Sequence, residues 1–167
     1  LLILRPRVFG DARGYFFEKF SLREFQAVAG PVVFVQENQS RSVYGVVRGL
    51  HFQKEPYAQA KLVSCVRGRV LDVVLDLRRD SATFGKHFSI ELSSENHLQM
   101  YVPKGFAHGF SVLSPEAVFQ YKCDEYYHPE AEDGVQALDP ALGIDWKIPA
   151  GDMIMSDKDA ARHNLLK

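Results

Sequence analysis

Four polar side chains suited to binding and proton transfer crowd one short stretch: Arg48, His51, Gln53 and Lys61 lie within fourteen residues. Histidine is the side chain best suited to take up a proton near neutral pH. It serves best as a base when a carboxylate fixes its tautomer and steadies the imidazolium. The run Ser156-Asp157-Lys158-Asp159 offers two such carboxylates. Polarity of this density on a strand-turn-strand is costly to bury unless something polar is bound there.

The elements that must position these groups read as strands. Val32 to Gln36, Ala60 to Val66, Arg69 to Leu77, Phe88 to Leu92, His97 to Val102, Gly109 to Leu113 and Ala117 to Cys123 are short, rich in Val, Phe and Tyr, and partly alternating. In one of them Leu71, Val73, Leu75 and Leu77 alternate with Asp72, Val74 and Asp76. Gly68, Gly85 and Gly105 punctuate the strands as turns. One helix is expected after Ser21, with Ser21 and Glu24 forming a capping box and Gly30 ending it. The last quarter, after Tyr127, is more polar and reads as turns and short helices packed on the strands. Strands at about ten-residue spacing predict an all-β sandwich or jelly roll.

Bulk properties narrow the function classes. The 167 residues fit one domain spanning 1–167, large enough to fold without a disulfide or structural metal. Net charge is −1, so no basic field attracts nucleic acid. No apolar run reaches the roughly 20 residues that a membrane span needs, and no leader pattern suggests secretion. Cys65 and Cys123 have no CxxC partner, which reads as two reduced thiols in the cytoplasm. The chain starts at Leu1 rather than Met, so a short preceding piece is expected. His87, His97, His128 and His163 carry no motif and are read as surface residues.

Two segments, Gly45 to Gln53 and Pro103 to His108, resemble the paired motifs of the cupins. That resemblance implies a cupin-type jelly-roll barrel with a few short helices. Cupins bind a metal through two histidines and a glutamate of the first motif and a histidine of the second. Here Gln53 stands in place of the second histidine, and Glu55 follows too closely to match the glutamate. His51 and His108 alone remain, and zinc or iron sites generally use three or more protein ligands. No metal and no cofactor are therefore expected.

The resemblance becomes specific over nearly the whole chain. VFGDARGYFFE (Val8 to Glu18), VQENQS (Val35 to Ser40), GVVRGLHFQ (Gly45 to Gln53), QAKLV (Gln59 to Val63), VPKGFAHGF (Val102 to Phe110), YKCDEYYHPE (Tyr121 to Glu130), GIDW (Gly143 to Trp146) and SDKDA (Ser156 to Ala160) are similar, in order, to the dTDP-4-dehydrorhamnose 3,5-epimerases. That family acts on a dTDP-linked 4-keto-6-deoxy sugar, whose C3 and C5 protons are alpha to the ketone. Removing one gives an enolate, and a proton returned to the other face inverts the centre. The implied product is dTDP-4-dehydro-L-rhamnose.

The resemblance also implies roles. His51 is the base and Asp159 its orienting carboxylate, with Asp157 the less suitable neighbour. Lys61 holds the developing O4 oxyanion, and Tyr121 is the acid on the opposite face. Arg13 and Arg48 suit the diphosphate, and Gln36 and Asn38 the thymine edge. Tyr127 stacks on the base, although Tyr126 matches it in composition. Glu18 and His108 contact the sugar or hold the arginines. Family members are dimers whose N-terminal strands cross into the neighbour, so a homodimer is expected, with Arg13 and Glu18 serving one site or the other. Three alternatives stand beside this reading: an enzyme that inverts only C3 or only C5, a metal-dependent cupin, and a non-enzymatic sugar-binding cupin.

Overall fold

The computed structural model describes residues 1–165. In chain order its strands are β1 (Leu2–Leu4), β2 (Phe9–Asp11), β3 (Gly14–Phe16), β4 (Gln36–Val43), β5 (Val47–Gln53), β6 (Lys61–Arg67), β7 (Arg69–Asp76), β8 (His87–Ser93), β9 (Gln99–Val102), β10 (Phe106–Val112), β11 (Glu116–Cys123) and β12 (Glu132–Gly134). Helix α1 (Leu22–Ala29) falls between β3 and β4, and α2 (Asp157–Ala160) lies near the C-terminal end. Two antiparallel sheets face each other, in the orders β1-β9-β6-β11-β4 and β12-β5-β10-β7-β8. The hairpin β2-β3 stands apart from both. This is the expected all-β, cupin-like jelly roll with few short helices.

Between the sheets lies one apolar layer, in which Val63, Val70, Val74, Met100, Phe110 and Phe119 pack together. Each sheet also buries its outer face. Helix α1 sets Phe25 on Leu62 and Tyr101 of the first sheet. The C-terminal segment sets Trp146 and Leu142 over Leu71, Val73 and Leu75 of the second. Strand β7 is therefore buried on both faces. Its alternation sends Leu71, Val73 and Leu75 outward under the C-terminal cover and Val70 and Val74 into the inter-sheet core.

Three local expectations need correction. Val32–Val35 forms no ladder; the strand starts at Gln36 and runs through the polar sequence QENQSRSV. An edge strand with polar residues on its cavity side and water on its outer side needs no hydrophobic stripe, so its sequence hides it. Helix α1 begins after Ser21 and ends at Gly30 as expected, but Ser21 makes no side-chain cap bond. His87 and His163 are exposed, whereas His97 and His128 are half-buried. The His97 ring packs against those of Tyr15 and Phe17, its centroid 4.8 Å from each. His128 stacks on Tyr57 at 3.7 Å.

Candidate active site

A cavity of about 290 Å³ opens between the sheets, and His51, Lys61, His108 and Tyr121 all line it. Strands β5 and β10 form its floor, with His51 and His108 directly opposite in the ladder. Being paired, both imidazoles lie on the cavity side, and the bulge between His108 and Phe110 turns Arg48, three residues before His51, to that side as well. The close approach of the two strands requires glycine. Gly49 has φ +119, and a Cβ there would meet Gly109 Cα at 2.6 Å. The glycine of the Arg-Gly-Leu-His motif thus sets how near the two histidine strands can lie.

His51 is joined to Asp159, 108 residues away, across a 2.5 Å contact between Nε2 and Oδ1. The Asp159 carboxylate is nearly buried, while a third of the His51 side chain is exposed to the cavity. Burial pushes the Asp159 carboxyl upward, but the His51 hydrogen bond and charge, Gly49 N–H and Ser156 together outweigh it and hold it below its ordinary value. An ionised carboxylate only accepts, so His51 Nε2–H is the donor and Nδ1 carries the lone pair. Ser156 caps α2, its hydroxyl accepting from Asp159 N–H at 3.1 Å. That cap sets the turn which aims Asp159 at the barrel. Asp157 makes no such contact, and the motif's preference for Asp159 agrees with the geometry.

Lys61 and Tyr121 enter from the facing sheet, on the paired strands β6 and β11. Lys61 Nζ lies 5.8 Å from the Tyr121 ring centroid. Burial lowers the Lys61 pKa, against the opposing pull of Cys123, Asp72 and Glu132. Burial raises the Tyr121 pKa, so the phenol stays protonated well above neutrality. The buried Cys123 thiol beside Lys61 is pushed up to about 11 by burial and is a neutral neighbour.

A residue directly behind the cavity wall escaped sequence reasoning. Asp72, fully buried on β7, faces His108 Nε2 with both carboxylate oxygens, at 3.0 and 2.9 Å. Its pKa is raised by burial, with His108 and Lys61 pulling the other way. The available signal was an aspartate in the middle of the run Val-Leu-Asp-Val-Val; alternation alone assigns it to a polar face, and that face proves to be the barrel interior.

The residues assigned to the nucleotide divide. Arg48, Asn38 and Tyr127 line the cavity or its mouth, with Arg48 Nε donating to Ser42 Oγ at 3.0 Å. Tyr127 Oη donates to Glu132 Oε2 at 2.5 Å, and Glu132 also pairs with Lys158 and Arg162. Tyr126 does not line the cavity. Gln36 does not line it either; its amide is committed to Asn38 Oδ1 and to Tyr127 N–H. Arg13 sits on the exposed β2-β3 hairpin, its guanidinium bound to Asp11 and its side chain 90% exposed. Glu18 borders a separate groove beside Leu4 and Phe25. Within one chain, then, Arg13 and Glu18 are not brought to the His51 cavity.

A cupin metal site is not assembled from these donors. Among the described residues no group of three or more His, Cys, Asp or Glu side chains is placed to hold a metal ion. His51 and His108 each face a carboxylate, and Gln53 turns its amide to main-chain groups. No helix among the described residues is long and apolar enough to cross a membrane.

Comparison with known proteins places the chain in a family. The family model described as dTDP-4-dehydrorhamnose 3,5-epimerase matches residues 1–167. The epimerase of that name from Escherichia coli K12 is 52% identical over 160 residues, covering 95% of this chain and 86% of the relative. The crystal structure of dTDP-6-deoxy-D-glucose-3,5-epimerase from Legionella pneumophila, in complex with dTDP-4-keto-L-rhamnose, is 48% identical. It superposes with a TM-score of 0.93 over 98% of this chain and 86% of that one. A 3'-monoepimerase from Streptomyces bikiniensis, in complex with dTDP-quinovose, is 35% identical with a TM-score of 0.89, covering 98% and 82%. On this similarity, which runs the whole length of the chain, the protein belongs to the dTDP-4-dehydrorhamnose 3,5-epimerase family.

Proposed function

We propose that this chain, acting as one domain, epimerises a dTDP-linked 4-keto-6-deoxyhexose at C3 and C5 to give dTDP-4-dehydro-L-rhamnose, with no metal or cofactor. The observation that carries the reading is the His51–Asp159 pair opening on the same cavity as Lys61 and Tyr121. His51 Nδ1 takes the proton alpha to the ketone, and the electron pair moves to O4 as an enolate. Asp159 stabilises the resulting imidazolium. The Lys61 ammonium holds the O4 oxyanion in a site largely shielded from water, where a fixed charge counts for more than in solution. Tyr121 delivers its phenolic proton to the opposite face of the carbon, and solvent restores the proton to the tyrosinate and takes that of His51. Arg48 meets the diphosphate, Asn38 the thymine edge and Tyr127 the face of the base.

The β2-β3 hairpin supports a homodimer. Tyr15 and Phe16 are 64% and 70% exposed, and Arg13 extends into solvent beside them. Docking on a second copy would cover these rings and carry Arg13 and Glu18 toward the partner's cavity, in a two-fold arrangement. The free thiols of Cys65 and Cys123 suit the cytoplasm.

Incubation with dTDP-4-keto-6-deoxyglucose in deuterated water, followed by NMR, tests the reaction. Deuterium is expected at both C3 and C5, with inversion at each. Deuterium at C3 alone would support the monoepimerase reading, to which the Streptomyces bikiniensis relative lends weight. Exchange without inversion in Tyr121→Phe, and neither in His51→Asn, would place base and acid on opposite faces. Sedimentation showing an active monomer would overturn the dimer.

A further inference from the structure

Gln53 stands where the cupin pattern has a histidine, and the chemistry above gives it no task. Its side chain is buried, and both its N–H donors and its carbonyl oxygen meet main chain. Nε2 donates to the carbonyls of Tyr57 at 2.7 Å and Tyr126 at 3.1 Å, and Oε1 accepts from His128 N–H at 2.8 Å. The partners fix which end of the amide is nitrogen, since a flipped group would point its oxygen at two carbonyls. Gln53 thereby ties the end of β5 to the turn that follows it and to the segment after β11.

Tyr127 lies between the two points held on that segment. Its own N–H donates to Gln36 Oε1 at 3.0 Å. In the ladder Gln53 pairs with Glu132, whose carboxylate takes the Tyr127 phenol. One register pair of the β5-β12 ladder thus holds Tyr127 at both ends, main chain through Gln53 and phenol through Glu132, while half of its surface stays open. We infer that Gln53 is a positioning residue for the nucleotide end of the substrate: it locks Tyr126–His128 at the cavity mouth, so that the Tyr127 ring is a rigid stacking face before the ligand arrives. This rests on the reading of Tyr127 as the residue that stacks on the base. A segment ordered in advance is not charged again for ordering when the ligand binds. Glutamine alone suits the place at this reach. Glutamate would set a carboxylate against two carbonyls, and histidine has one donor too few.

The test compares wild type, Gln53→Glu, Tyr127→Ala and the double variant by calorimetric binding of dTDP and by steady-state kinetics. Gln53→Glu is expected to weaken dTDP binding about tenfold, as the Tyr57 and Tyr126 carbonyls lose their donor. KM should rise by more than kcat falls. Tyr127→Ala should weaken dTDP similarly, and the double variant should bind no worse than Tyr127→Ala, because both changes act through one ring. The inference is overturned if Gln53→Glu binds dTDP normally, if the two losses multiply, or if kcat falls while dTDP affinity is kept. Normal dTDP affinity in Tyr127→Ala alone would instead show that the stacking assignment fails, and the clamp's purpose with it. Should Gln53→Glu not fold, Gln53→Met removes all three bonds without placing a charge there, and the same outcomes decide.

Discussion

The cavity holds two histidine–carboxylate pairs that face each other across one ladder, and they differ in water and in origin. His51 is a third exposed and its carboxylate comes from a helix near the C-terminus; His108 and Asp72 are buried on adjacent strands of one sheet. Asp159 has a lowered pKa, whereas Asp72 has a raised one, because burial outweighs its partners there. The same two functional groups are therefore expected to do different work. An imidazole with one nitrogen on an ionised carboxylate and the other side open can pass a proton to solvent. One sealed against a carboxylate inside a sheet shapes the wall and the local field.

The largest expected effect comes from exchanging the pairs in mutagenesis. His51→Asn should lower kcat by about 10²–10⁴, the span of general-base catalysis. His108→Asn should lose less than about tenfold, since its Nε2 is already committed to the buried Asp72 carboxylate. Equal losses in matched steady-state assays would erase the distinction between the pairs.

Lys61 lies within the field of the buried pair, and it comes next. Lys61→Met should lower kcat by about 10²–10³ with KM little changed, as for loss of one oxyanion-stabilising group. The pH profile sharpens this. Burial lowers the Lys61 pKa, so the ammonium is lost as pH rises through a value below that of an ordinary lysine. Tyr121 is shifted upward and does not set that limb. The alkaline fall in kcat is therefore expected below the ordinary lysine range, and in any active Lys61→Arg variant it should move to higher pH. A limb unchanged by that substitution would detach it from Lys61.

Stability should rank the pairs in the opposite order from rate. Asp72→Ala leaves a buried imidazole without its partner and should cost about 1–3 kcal/mol in denaturant unfolding. Asp159→Ala should cost less, because water in the cavity can reach His51. The smallest effect is on acid unfolding. Asp159 has a folded pKa below its unfolded value, so its contribution is present above the ordinary aspartate pKa of 3.8 and fades as pH falls through the folded value. Asp159→Asn should accordingly flatten the acid side of the stability curve. Asp72, raised in the folded state, favours the native protein as it protonates, and Asp72→Asn should make acid unfolding steeper.

Much of this site was legible because its parts carry local motifs. Arg48 and His51 share one strand, Lys61 opens the next, and Tyr121 and Asp159 stand in short runs whose spacing marks them. The residues that support them were not legible. Asp72 hides in an apolar alternation, and Gln53 looks like a failed metal ligand until its three main-chain partners are seen. Strand β4 was missed because a cavity wall and a solvent face are both polar, which leaves no period of two to read. Arg13 and Glu18 carry the motif but lie outside the cavity of their own chain.

Taken alone, then, the order of residues determines the β-rich class, the turns, the helix after Ser21 and the types of group available for acid–base work, since each depends on neighbours within a few positions. Only the tertiary structure decides that Asp159 lies against His51 at hydrogen-bond distance, that His108 is spoken for by Asp72, and that Gln53 holds the segment around Tyr127. Those pairings join residues 36 to 108 positions apart, and the burial that tunes their charges exists only once the two sheets close on each other.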